Sequence, residues 1–212
     1  MKDIPVFTTE HGVAHLGLQG IPAWGSAYVK IVSSLAPEML LQECADFCRA
    51  CGAKTVYASG DACLEAYACT AVLVKMQRPC AGMEKTDAAI FPMTAETAAK
   101  WRQIYNVKMA SVPNARYMTY ADDKIFLQDG DCYFIHRNEE LLGIGKASGS
   151  SIQVVTSLQP GAGKNVVLAL TSALSGDTVS LIVAQENRKA VALYSRLGFI
   201  PVGETGRWYK IF

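Results

Sequence analysis

Apolar positions between Val154 and Phe199 change their spacing three times, and each change marks an element. Val154 to Leu158 is a β-branched apolar run that predicts a strand. Gln159-Pro160-Gly161-Ala162-Gly163 breaks it, after which Val167, Leu170 and Leu174 recur at helical spacing. Thr178 to Ala184 is a second apolar strand. Asn187 is a good first cap for a helix that carries Ala190, Val191, Tyr194 and Leu197 on one side, and Gly198 is placed to end it. The stretch therefore reads strand, glycine loop, helix, strand, helix.

The same reading extends to the rest of the chain. Residues 5–10, 13–20 and 27–35 predict strands, 36–54 a helix, 55–60 a strand, Asp61 to Cys69 a short helix and 70–76 a strand. Residues 78–87 are polar and carry breakers, so a boundary near residue 85 is expected, with an N-terminal α/β subdomain over 1–85 and a second domain over 86–212. Residues 88–93 predict a strand. Thr94 and Thr97 begin a helix containing Ala99, Trp101, Ile104 and Tyr105, and Ser111-Val112-Pro113-Asn114 ends that region. Residues 119–130 form a weaker helix, and 131–147 a hairpin turning at Arg137 to Glu139. From Asp87 onward the expected order is strand, helix, helix, three strands, helix, strand, helix, two strands. The fold class is α/β with a mixed sheet. The order of the N-terminal elements echoes that of the C-terminal core, which suggests a degenerate internal repeat whose counterpart of the glycine loop, Ser33 to Met39, holds Pro37 and no glycine. An unrelated α/β extension is the alternative.

Composition narrows the classes. The 212 residues are 50% hydrophobic, enough for a substantial core, and the net charge of +1 gives no general pull toward nucleic acid or anionic lipid. No run of 18 uncharged apolar residues occurs and the N-terminus has no secretory pattern, so a cytoplasmic protein without membrane partners is expected. Seven cysteines, an odd number, argue for reduced thiols. Cys44, Cys48 and Cys51 have the spacing by which radical S-adenosylmethionine enzymes hold an iron–sulfur cluster, a minor alternative reading. On a helix, the same three positions form an i, i+4, i+7 stripe shared with Leu40, Leu41 and Phe47, and buried cysteines behave as small hydrophobes. No histidine or cysteine pattern indicates zinc, and no metal is expected.

Two motifs carry the chemistry. Glycines between a strand and a helix gather free backbone N–H groups and the positive helix end at one place, which suits a phosphate. A nucleotide P-loop ending at Lys164 would need glycine at Leu158 and a hydroxyl at Asn165, and neither is present. The Gly161-x-Gly163 loop, together with Asn187-x-x-Ala190-x-x-Leu193-Tyr194-x-x-Leu197-Gly198-Phe199, resembles the GNAT-type acyl-CoA N-acetyltransferase superfamily over about the last 125 residues. Leu158 stands where that family has Gln or Arg, and Asn165 where it has a further glycine. The resemblance implies acetyl-CoA as co-substrate, held by Val155, Ser157, Gly161, Ala162, Gly163, Lys164 and Asn187, and Tyr194 as the acid that protonates the departing thiolate. It implies a small-molecule or peptide amine as acceptor. Many relatives place a basic carboxylate on the central strand, where this chain offers only Gln153; His136, Glu139 and Glu140 are the other candidates. A catalytically inactive CoA-binding or interaction module is the rival reading.

Overall fold

The computed structural model describes residues 5–112 and 115–212. Contacts divide the chain into two units, one formed by Met1–Val72, Met109–Tyr117 and Gly206–Phe212, the other by Leu73–Lys108 and Met118–Thr205. The chain passes from one to the other four times: inside β5 (Ala68–Pro79), after Lys108, after Tyr117 and inside β11 (Ile200–Lys210).

The first unit is built on β1 (Val6–Thr9), β2 (Gly12–Gly17), β3 (Ser26–Ser34) and β4 (Thr55–Ser59), in that order across its sheet, with the end of β11 beside β4. β1, β2 and β3 are antiparallel neighbours, and β3 and β4 run parallel. Helix α2 (Pro37–Ala50) lays Leu40, Leu41, Cys44 and Cys48 on the sheet. Pro37 opens it where a missing N–H costs nothing, since the first helical amides have no partner within the helix. The expected cysteine stripe is thus present at Cys44 and Cys48, but Cys51 departs from it. Cys51 follows the last helical residue and is exposed, and Phe47 turns away from the core to pack on Phe7 at 5.2 Å between ring centroids. The helix ends one residue too early to carry the stripe further.

Two other local readings are corrected. A single helical turn, α1 (Ile21–Trp24), interrupts the expected run of strands; Pro22 in its first positions and Gly25 at φ 68° after it supply the usual start and stop. The expected helix from Asp61 to Cys69 is a 3₁₀ turn, Ala62–Ala66, capped by the Asp61 carboxylate, which accepts from the Cys63 amide at 2.9 Å and from the Ser34 hydroxyl at 2.9 Å. It stops there because Ala68 already belongs to β5.

The second unit contains β6 (Ala89–Pro92), α3 (Ala98–Met109), α4 (Tyr120–Asp129), β7 (Cys132–Arg137), β8 (Glu140–Ser148), β9 (Ser151–Ser157), α5 (Gly163–Thr171), β10 (Thr178–Ala184) and α6 (Arg188–Arg196). Its strands lie in the order β11-β5-β10-β9-β8-β7-β6. The hairpin turns through Asn138 and Glu139, both at positive φ, as a two-residue hairpin turn requires. Helix α5 can lie close to the sheet because β8 presents glycines beneath it: a Cβ at Gly143 would lie 2.8 Å from Val166 Cγ2, and one at Gly145 would overlap Leu170. Val166, Val167 and Leu170 are fully buried there, in a core with Ile135, Leu142, Ile152, Val179 and Phe199.

In place of the two final strands expected from the sequence, one 11-residue strand, β11, runs through Gly203 and Gly206. The space between β10 and β11 is taken by β5, antiparallel to β10 from Thr178↔Pro79 to Ala184↔Leu73. Long-range pairing has overridden the local breakers.

Candidate functional site

The site begins where two parallel strands separate. β9 and β10 pair only at Ser180↔Ser151 and Leu181↔Ile152, although each is seven residues long. The cause lies on the other edge of β9. Between Lys146↔Val154 and Ala147↔Ile152 its register with β8 skips Gln153, which is therefore a β-bulge. A bulge bends the strand that carries it and reverses which of its residues face each neighbour. Beyond the bulge the Leu158 amide donates to the Leu142 carbonyl at 2.8 Å. By alternation Thr156 also turns its backbone to β8, and Val155 and Ser157 turn theirs to the gap on the β10 side. The edge of β10 beyond Leu181 likewise has no strand partner on that side, although the Ala184 carbonyl there accepts from the Asn187 amide at 2.9 Å. Two strand edges, with backbone groups of Val155, Ser157 and Ile182 lacking a strand partner, thus diverge inside the sheet, a slot that an extended amide-bearing chain could fill by strand-like pairing.

At the mouth of this slot sits the glycine loop. Gly161 has φ 79°, a conformation L side chains rarely adopt, and the direction its Cβ would take is open. Ala162 precedes α5 without a side-chain cap, and the first-turn amides of Gly163, Lys164 and Asn165 have no acceptor within the helix. Donors and the positive helix end therefore converge next to the slot. Gly163 is held closely: a Cβ there would meet Leu193 Cδ2 of α6 at 2.9 Å.

Helix α6 follows β10 as the sequence requires. The Asn187 side chain caps it, accepting from the Ala190 amide at 3.2 Å, and Gly198 closes it at φ 85°. Tyr194 is buried, edge-on to Phe199 at 6.0 Å between centroids, within the core formed with α5. Burial pushes its phenol up to about 12, so it stays protonated at neutral pH.

The candidate bases are not gathered at the slot. Gln153, exposed, occupies the bulge. His136 lies two strands away on β7, edge-on to Phe91 at 5.5 Å, and Glu139 and Glu140 are exposed at the hairpin turn. The loop expected at Ser111 to Asn114 falls partly on Pro113 and Asn114, outside the described residues. Among the described residues no group of three or more His, Cys, Asp or Glu is placed to hold a metal ion, and no helix is long and apolar enough to cross a membrane. The bulge itself was not foreseen; the isolated Gln153 within an otherwise apolar β-branched run is the sequence feature that accompanies it.

The fold is similar to that of a GCN5-related N-acetyltransferase from Kribbella flavida, with 13% identity, a TM-score of 0.59, and coverage of 96% of this chain and 58% of that one. It is also similar to a GCN5-related N-acetyltransferase from Anabaena variabilis ATCC 29413, with 11% identity, a TM-score of 0.60, and coverage of 94% and 59%. A functionally unknown conserved protein from Staphylococcus epidermidis ATCC 12228 matches nearly end to end, with 12% identity, a TM-score of 0.57, and coverage of 99% and 94%. No family model and no curated protein sequence matches the chain. The likeness is one of fold, a GNAT-like mixed sheet, and the chain spans a little under three fifths of the two acetyltransferases.

Proposed function

We propose that this chain is an N-acyltransferase that moves an acetyl group from acetyl-CoA to an amine. The observation that carries the reading is the parting of β9 and β10 at the Gln153 bulge with the glycine loop at its mouth. The residues present fit the co-substrate. Amides at Gly161, Gly163 and Lys164 would take its diphosphate, with Ala162, whose amide donates to the Gln159 carbonyl at 3.2 Å, lining the loop between them, and the free backbone edge at Val155 and Ser157 would pair with the amides of its pantetheine arm. Asn187 would hold the start of α6 beside it. Acetyl-CoA supplies an activated thioester. The protein's part is to orient the amine against it, polarise the carbonyl with fixed amides and return a proton to the departing sulfur. Tyr194 is assigned that proton, since its buried phenol is protonated at working pH. The amine's own proton leaves through water, because β9 offers no carboxylate.

A second reading, an inactive CoA-binding module, is supported by two features: Leu158 in place of a polar residue before the loop, and the deep packing of Tyr194 against Phe199. The division into 1–85 and 86–212 is kept as a proposal about how the sequence was assembled. Calorimetric titration with acetyl-CoA tests both readings together. Binding is expected, and its absence at millimolar ligand would remove them; binding without CoA release across a panel of amines would select the inactive module.

A further inference from the structure

The segment joining β5 to β6 crosses the first turn of α5, and the contacts it makes there involve the residues that distinguish this glycine loop. Glu84 Oε2 lies 2.5 Å from Lys164 Nζ. Two residues on, the Thr86 hydroxyl donates to Asn165 Oδ1 at 3.1 Å, so the side chain standing where a glycine is expected is used to tie this segment down. The segment is held on both sides of these contacts. Cys80, Met83 and Ala88 pack against the core beneath α5, and the Met83 and Ala88 amides donate to the Cys80 carbonyl and the Thr86 hydroxyl, each at 3.2 Å. The backbone that carries Glu84 is thereby tied down, and its carboxylate reaches the positive end of α5 at the one basic side chain of the loop.

We propose that Lys164 binds a phosphate of the co-substrate through its side chain, and that Glu84 is a built-in competitor which occupies Lys164 until the phosphate displaces it. This rests on the acyl-CoA reading above. Electrostatics give the direction: a carboxylate at this point satisfies Lys164 in the free protein and repels an incoming phosphate. Both side chains are about half exposed or more, at 47% and 65%, so the contact is weak enough to exchange. The device lowers affinity without blocking the slot.

The test is a four-way calorimetric comparison of wild type, Glu84→Gln, Lys164→Gln and the double variant, titrated with acetyl-CoA at low and at 0.5 M salt. Glu84→Gln should tighten binding by about two- to fivefold at low salt, Lys164→Gln should weaken it, and in the double variant the gain from Glu84→Gln should shrink by more than half. High salt should compress every difference. Repeating the series with 3′-dephospho-CoA assigns the phosphate: loss of the Lys164 effect points to the 3′-phosphate, and its persistence to the diphosphate. If the wild type binds and Glu84→Gln leaves the affinity unchanged or lowers it, the competitor role is wrong and the acyl-CoA reading stands. If Glu84→Gln alone binds, both stand. If no variant binds, both fall. Unchanged melting temperatures among the four would place any shift in binding rather than folding.

Discussion

Among the described residues two strand pairs run parallel, β3 with β4 and β9 with β10, and they start alike and end differently. In each, parallel pairing stops just before a bulge on the earlier strand: Val32 is skipped in β3 between Val13↔Ser33 and Ala14↔Ile31, as Gln153 is skipped in β9. Past the bulge the plans diverge. β9 continues to Ser157 and β10 to Ala184, so two unpaired edges face a gap. β4 instead pairs fully with β3, from Ser26↔Thr55 to Lys30↔Ser59, and ends there. Gly60 at φ 105° then brings the chain so close to the Ile31 carbonyl that a Cβ would overlap it. Helix α2, which follows β3, is entered through Pro37 rather than through glycines. A bulge alone therefore does not make a slot; it must be followed by strand on both sides and by a loop whose amides are free. The first unit has the bend without the opening.

The comparison is broken most severely at Tyr194 on α6, which follows β10, whereas in the first unit β4 is followed by a 3₁₀ turn anchored by the buried Leu64. Tyr194→Phe removes one hydroxyl and little volume. Turnover should fall by about 10² to 10⁴ with CoA affinity and melting temperature nearly unchanged. A loss confined to affinity, or no loss, would show that Tyr194 is there for its packing on Phe199.

Next in size is the loop. Gly161→Val places a β-branched side chain at positive φ and fills the open direction in front of the amides. Acetyl-CoA affinity should drop about 10- to 100-fold, the worth of one or two amide bonds to a charged phosphate. Leu35→Val, at the matching place in the first unit, should leave it unchanged. Gly161 is the cleaner position than Gly163, where any side chain also pushes on Leu193. Equal effects at Gly161 and Leu35 would mean that binding does not use the loop.

How much of this contrast could be read in advance depends on whether its cause is local. The run from Thr178 to Ala184, the Asn187 cap, the Gly198 stop and the hairpin, expected to turn at Arg137 to Glu139 and turning at Asn138-Glu139, are set by residues close to one another in the chain, and the sequence reading placed them. The insertion of β5 between β10 and β11 and the continuity of β11 through Gly203 and Gly206 depend on partners more than a hundred residues away, as in the bond from the Thr205 hydroxyl to the Leu73 carbonyl at 3.2 Å. No window of local spacing contains that information. The site divides in the same way. Gly161 and Asn187 were legible as turn and cap chemistry, whereas the unpaired edges at Val155 and Ser157 follow from register, which a single extra residue resets.

The smallest expected effect lies in the cysteine stripe of the first unit, and it bears on whether that unit has any chemistry of its own. Cys44 and Cys48 are fully buried, and burial is the main cause that pushes their thiols up to about 12 and about 11. Thiols held protonated are poor cluster ligands, which need thiolates. Anaerobically purified protein should accordingly be colourless and free of iron, and stoichiometric iron would return the radical reading to the first unit. Cys48→Ala should cost about 1 kcal/mol, a shift of roughly 2–4 °C in melting temperature. The pH dependence separates packing from ligation. Both thiols have folded values above the unfolded value near 9, so the folded state keeps protons that the unfolded state releases, and stability is lost as pH rises from about 9 to about 11 for Cys48 and to about 12 for Cys44. Cys48→Ala removes one of these groups, so its deficit against wild type should be largest below pH 9 and shrink as pH climbs toward 11. A deficit that stays constant across that range would show that Cys48 does not titrate with folding, and that the stripe is held by contacts other than the burial of its thiols.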